Sequence, residues 1–233
     1  MLTNNEIKTI RSLKDKKFRD ELGLFVVEGE KMVSEALDSA LEVSAVYRME
    51  EIGAAAMAKI SHLTTPSPVL AVVRIPSDPV PESLKGLSVA LDSVRDPGNM
   101  GTIIRLADWF DASFIFCSPD CVDPYNPKVV QATMGAIFRK KIIHCDIPQL
   151  CRRYKAGGKP VYGTFLDGND IYRSRLESEG LIVMGNESNG ISPAVAAEVD
   201  ARLLIPSFGG SGAESLNVAV ATAITLSEFK RRG

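Results

Sequence analysis

The sequence is short of the groups that covalent and metal chemistry most often use. Its 233 residues include two histidines, His62 and His144. His144 ends the apolar stretch KIIH and reads as a core or edge residue of a strand rather than a catalyst. Four cysteines, Cys117, Cys121, Cys145 and Cys151, form no CxxC pair, and with His144 they match no common metal-ligand spacing. Free thiols and no bound metal are therefore expected. No stretch nears the ~18–20 apolar residues of a membrane span, and no apolar leader follows Met1. Together these absences point to a cytoplasmic protein in a reducing setting. An excess of positive charge is lacking too: 27 basic residues face 29 acidic ones, for a net charge of −2. Bulk charge gives no hold on nucleic acid, so any such contact needs a local patch. The usual nucleotide fingerprints are missing. No GxGxxG follows a strand pattern. Gly209-Gly210-Ser211-Gly212 lacks the GK[ST] of a phosphate loop, and Ala213 breaks a GxSxG. A nicotinamide-dependent enzyme is correspondingly disfavoured.

What is present is an ordinary globular composition, 45% hydrophobic and 24% charged, enough to bury a core without disulfides. Three prolines fall within residues 76–81, where a helix interior or central strand cannot tolerate them. This places a linker at 77–86 between an N-terminal domain, 1–76, and a larger domain, 87–233. The first reads as helix 4–15, strand 24–27, helix 28–38, strand 43–48, helix 52–60 and strand 69–75. The second reads as strands at 87–92, 113–117, 141–144, 161–165, 181–185 and 202–206. Its helices fall at 101–110, 127–136, 148–155 and from Ser215 to the end. Such alternation predicts an α/β fold with a parallel sheet covered on both faces.

Lys8, Arg11, Lys14, Lys16, Lys17 and Arg19 make the densest basic run, which is either a solvated helix face or a phosphate-binding patch. Three further blocks sit where a parallel sheet binds ligands, after strand ends. The first, LDSVRDPGNMGTIIRLADWF (91–110), has turn chemistry followed by a helix that Asn99 is suited to cap. Arg105 then sits one turn beyond Gly101 and needs an anionic partner. This is a phosphate, a developing alkoxide, or a structural partner such as Asp92 or Asp108. The second, LIVMGNESNGIS (181–192), is an apolar strand ending in a polar turn around Glu187. The third, LLIPSFGGSGAESLNVAVATAITLSEF (203–229), leads into a helix apolar or small nearly all round. Such a helix is expected to be buried on several sides, with Ser215 and Asn217 at its start.

N-x-G-x-x-x-R at Asn99, Gly101 and Arg105, GNE at Gly185–Glu187, and IP…SLN-V at Ile205, Pro206 and Ser215–Val218 resemble the three motifs of the SpoU (TrmH) family. The likeness covers residues 87–231, and the stretch 14–37 resembles the small RNA-binding domain that many members carry. The family belongs to the SPOUT superfamily of S-adenosylmethionine-dependent methyltransferases and acts on ribose 2′-hydroxyls of RNA. The resemblance implies a parallel-sheet domain with a deep C-terminal trefoil knot, preceded by a small α/β RNA-binding domain. It implies S-adenosylmethionine as cofactor, contacted by Gly185, Ile205 and Leu216 with Thr164 near the pocket. It implies a catalytic set of Asn99, Arg105, Glu187, Ser215 and Asn217, RNA contacts from Lys14, Lys16, Lys17 and Arg19, and a homodimer without metal. Ribosomal RNA is the expected substrate. A tRNA substrate and a non-catalytic RNA-binding protein of the same fold are the alternatives. Two departures bear on ligand contacts: Ser188 replaces a common glycine, and the 206–214 loop is about two residues longer than in many members.

Overall fold

We describe the chain from a computed structural model over residues 2–77, 79–209 and 215–232. In chain order the elements begin α1 (Asn4–Ser12), α2 (Lys16–Leu22), β1 (Leu24–Glu28), α3 (Glu30–Leu37), β2 (Val43–Arg48), α4 (Met49–Ile52), α5 (Ala54–Ile60) and β3 (Val69–Arg74). They continue with β4 (Leu87–Leu91), α6 (Pro97–Trp109), β5 (Ile115–Cys117), α7 (Pro127–Thr133), β6 (Ile142–His144) and α8 (Ile147–Ala156). The last are β7 (Val161–Asp170), β8 (Gly180–Met184), α9 (Pro193–Ala196), β9 (Ala201–Leu204) and α10 (Val218–Arg232). They gather into two units, Met1–Ser77 with Asp123–Arg139, and Asp78–Val122 with Lys140–Gly233.

In the smaller unit the strands order β1-β3-β2, and β3 runs antiparallel to both neighbours. The parallel reading therefore fails here. The α3 crossover leaves a gap between β1 and β2, and β3 fills it in the opposite sense, a split β-α-β arrangement. Val26, Leu70 and Val72 point to one face and pack against Ile10, Leu13, Met57 and Ile60. The expected helix over 4–15 divides into two, because α1 ends at Ser12 and Asp15 starts a second helix. The expected helix over 52–60 is likewise broken, by Gly53 at φ +84°. A capping box of Thr3 and Glu6 starts α1.

The smaller unit also takes in a segment from later in the chain, 123–139, which the sequence reading does not place there. Tyr125 packs on Phe25 with ring centroids 4.9 Å apart, and Gln131 Nε2 donates to the Glu28 carbonyl. Arg139 pairs with Glu35. Above all, Arg19 is 1% exposed and its guanidinium is committed to Asp123, at 2.6–2.7 Å, and to the carbonyls of Leu13 and Lys14. Arg19 is thus a structural residue, and its assignment to RNA contact is corrected. Lys14, Lys16 and Lys17 do face solvent.

In the larger unit six strands order β6-β5-β4-β8-β7-β9, all parallel. Every residue of the central strands β4 and β8 is buried, as continuous apolar runs in a two-sided sheet should be. Ala90, Phe116, Leu181 and Val183 join Leu150, Cys151 and Tyr154 of α8 in the core on one face. His144 ends the edge strand β6 and is exposed. α7 stops at Thr133, short of the expected 136, because Met134 turns left-handed at φ +51°. The short α9 has no counterpart in the sequence reading. β7 is twice its expected length. α10 begins at Val218 rather than Ser215 and buries a single stripe that includes Val218, Thr222, Leu226 and Phe229. Val220 stays half-exposed, so the expected burial on several sides is not met within this chain.

Removing one partner of a buried ion pair leaves the other charge uncompensated, at a cost of about 3–5 kcal/mol. Asp123→Ala should therefore lower the stability of the smaller unit by that order in urea unfolding followed by circular dichroism. The exposed pair Lys16–Asp20 is worth under about 1 kcal/mol, so Lys16→Ala should leave the curve nearly unmoved. Equal effects of the two variants would contradict the burial of Arg19.

Candidate active site

β4 and β8 lie side by side at the centre of the sheet, with chain connections leaving to opposite sides. Ligands of open parallel sheets bind at such a switch point, beyond the strand ends. Here the turns after β4 and β8 meet. Asp92, 5% exposed, accepts from the Ser192 amide at 2.7 Å, and the Asp92 amide donates to the Met184 carbonyl. Gly185 leaves no room for a side chain. A β-carbon on it would lie 2.3 Å from the carbonyl carbon of Gly190 and 2.4 Å from the amide nitrogen of Ile191. The turn between them is closed by reciprocal backbone bonds of Asn186 and Gly190, with Gly190 at φ +67°. Asn186 governs it: Oδ1 accepts from the amides of Ser188 and Asn189, and Nδ2 donates to the Ser93 carbonyl at 2.7 Å. Asn186 was missed in the sequence, although an asparagine two residues before a serine amide is a familiar turn former.

The cap of α6 is Asp96, which accepts from the Asn99 amide at 2.7 Å, with Pro97 at the first helical position. This corrects the assignment of the cap to Asn99 and moves the helix start from Gly101 to Pro97. Relieved of capping, the Asn99 side chain turns to the other two blocks. Its Nδ2 donates to Glu187 Oε1 at 2.9 Å, and its Oδ1 accepts from Asn217 Nδ2 at 2.9 Å. Asn217 Oδ1 in turn accepts from the amides of Ala219 and Val220, capping α10. Each amide is oriented by its neighbour: helix amides fix Asn217, Asn217 fixes Asn99, and Asn99 presents its NH2 to the carboxylate.

A cleft of about 580 Å3 opens beside this strip, a size suited to a cofactor. All four residues expected at the cofactor, Thr164, Gly185, Ile205 and Leu216, line it, as do Glu187 and Ser215. Part of another wall comes from β7, whose residues 165–168 bulge out where Thr164 and Asn169 both face Leu203. Arg202 of β9 lies 3.5 Å over the Phe165 ring and 2.5 Å from Asp167, pinning the bulge. Residues 210–214 of the lengthened loop lie outside the described residues.

Arg105 is exposed on α6, whereas Asp92 is buried and accepts from the Ser192 amide. The thiols play no part in the strip. A hydrogen bond from Cys117 lowers Cys121 to about 7, whereas burial raises Cys145 to about 11 and Cys151 to about 12.

Comparison with known proteins gives a consistent picture. The model of the SpoU rRNA Methylase family matches residues 86–227, and that of the MRM3-like substrate binding domain matches residues 4–55. The 23S rRNA (guanosine(2553)-2′-O)-methyltransferase RlmP of Bacillus subtilis is 31% identical over 239 residues, covering 96% of this chain and 95% of its own length. A TrmH-family protein from Porphyromonas gingivalis superposes with a TM-score of 0.92 at 40% identity, covering all of both chains. The AdoMet-bound rRNA methyltransferase of Sinorhizobium meliloti superposes at 0.85 with 34% identity, covering 100% of this chain and 96% of its own.

The contact at Gly185 gives a direct test. Gly185→Ala forces a β-carbon into the Gly190–Ile191 backbone, so the turn must shift into the cleft. Calorimetric affinity for S-adenosylhomocysteine should fall by more than about tenfold, or 1.4 kcal/mol. Unchanged affinity would mean that this turn is not the ligand wall.

Proposed function

The chain belongs to the SpoU rRNA Methylase family, and from that membership we propose that it transfers a methyl group from S-adenosylmethionine to a ribose 2′-hydroxyl of ribosomal RNA. The observation that carries this reading is the hydrogen-bonded strip Asn217–Asn99–Glu187, which joins all three motif blocks beside one cleft. The residues present fit the cofactor. Gly185 lets the turn after β8 close tightly on Gly190 and Ile191 at the cleft wall, and Thr164, Ile205 and Leu216 line the same cleft. When bound, the cofactor supplies a methyl group already activated by its sulfonium charge.

What remains for the protein is positioning and charge. Gly185, Ile205, Leu216 and Thr164 hold the cofactor in the cleft. Glu187, oriented by Asn99, and Ser215 hold polar groups at its rim. Arg105 meets the incoming ribose–phosphate. A guanidinium does not readily give up its proton, so Arg105 serves as a fixed cation that binds phosphate or favours the alkoxide forming at the 2′-oxygen. Its exposure on α6 supports that role. Lys14, Lys16 and Lys17 add phosphate contacts from the smaller unit.

Three finer points belong to the same reading. The strand order, with β7 and β9 adjacent and β8 inserted beside β4, supports the trefoil knot that the resemblance implies. The protein acts as a homodimer, and a second copy covers the side of α10 and its approach where Leu216 and Val220 stay 48% exposed. It works in the cytoplasm; among the described residues no helix is long and apolar enough to cross a membrane.

Transfer of labelled methyl from S-adenosylmethionine to rRNA, followed by nucleoside analysis, tests the reaction; label on a base instead of a ribose would refute it. Arg105→Ala should cut the transfer rate by at least about a hundredfold, the scale of one lost oxyanion contact, with S-adenosylhomocysteine affinity within about twofold of wild type. If Arg105→Lys kept nearly the full rate with a shifted pH profile, a base role would replace the cationic one. Light scattering should give twice the chain mass; a monomer at working concentration would exclude the homodimer.

A further inference from the structure

Asp120 stands outside the cleft, in the loop after β5, and belongs to none of the three blocks. Its carboxylate nevertheless gathers the turn that follows β4. Ser118 Oγ donates to Asp120 Oδ1 at 2.7 Å, Ser93 Oγ donates to Oδ2, and Arg95 Nη2 lies 3.4 Å from Oδ2. The hydrogen bond from Ser93, followed by that from Ser118, holds the carboxyl down to about 2. Ser118 Oγ also accepts from the Ser93 amide at 2.9 Å. Its own proton then goes to Asp120 Oδ1, and the other carboxylate oxygen takes the Ser93 hydroxyl. An ionised carboxylate offers both sites and no competing donor.

These contacts fix an unusual residue. Ser93 has φ +62°, the left-handed region that residues other than glycine seldom enter. In that pose the Ser93 carbonyl receives Asn186 Nδ2 at 2.7 Å, and Asn186 Oδ1 holds the amides of Ser188 and Asn189. A line of hydrogen bonds therefore runs from the β5 loop, through a strained serine, to the turn that walls the cleft.

We infer that Asp120 is a positioning residue for the cleft: by holding Ser93 left-handed it presents the carbonyl that fixes Asn186, and so places the turn from Gly185 to Gly190. The functional weight of this role rests on the reading of the cleft as the cofactor site, but the placement of the turn does not.

Three variants separate the possibilities: Asp120→Ala, Asp120→Asn, and Asp120→Ala combined with Ser93→Gly. Glycine adopts φ +62° freely and keeps the carbonyl, so the double variant should rescue the single one. Two readouts are used: hydrogen exchange of the Ser188 and Asn189 amides without ligand, and calorimetric affinity for S-adenosylhomocysteine. Asp120→Ala should speed exchange at both amides and weaken binding by about tenfold, the scale of one charge-assisted hydrogen bond. Asp120→Asn, which keeps one acceptor, should fall between it and wild type. The double variant should recover most of both losses, which a general loss of stability would not do. Wild-type exchange at these amides in Asp120→Ala, or no recovery on adding Ser93→Gly, would overturn the inference. If the wild-type protein failed to bind S-adenosylhomocysteine while the exchange pattern held, the cofactor reading would fall and the positioning role would stand.

Discussion

Two stretches of backbone pass each other at Gly185 with no space for a side chain between them, and the cleft is arranged around that contact. It brings the turn after β8 back on itself, so that Asn186 and Gly190 can bond reciprocally. The return leg is then held by the buried carboxylate of Asp92 through the Ser192 amide. With the turn fixed on both sides, Glu187 projects where Asn99 can reach it, and Asn99 where Asn217 can. A parallel sheet supplies the platform, but the placement of donors is set by main-chain packing that only glycine allows.

The residues of the strip were legible through the resemblance of their three blocks, in order and spacing, to the SpoU motifs; each block alone reads as a strand end or helix start with a polar turn. Their mutual contacts were not legible, since they join positions 88 and 118 residues apart. The helix cap was misread for a local reason. Asp96 and Asn99 are both good caps, and the deciding signal was Pro97, which favours the first helical position and so points to Asp96. Arg19 was misread for a distant one. In a run of lysines nothing distinguishes an arginine that will be buried, and its partner Asp123 comes 104 residues later. The same distance hid the membership of 123–139 in the smaller unit, which depends on Phe25 meeting Tyr125 rather than on any local pattern.

Burial of Arg19 changes the character of the basic surface. Of the run, Lys8, Arg11, Lys14, Lys16 and Lys17 stay exposed, so four of the five charges left outside are lysines, compact and strongly hydrated. Such a surface gives affinity that depends on salt and little on sequence.

The bulge in β7 has a bearing on how proteins of this shape diverge. β9 pairs with β7 through Thr164 before the excursion and through Asn169 and Asp170 after it, with Leu203 opposite both ends. Residues 165–168 are therefore outside the ladder. Of these, Phe165 and Leu166 border the cleft, while Gly168 packs on the backbone of Arg202 and Leu203. Substitution at the first two positions can reshape the wall and its chemistry on a frame that stays in register.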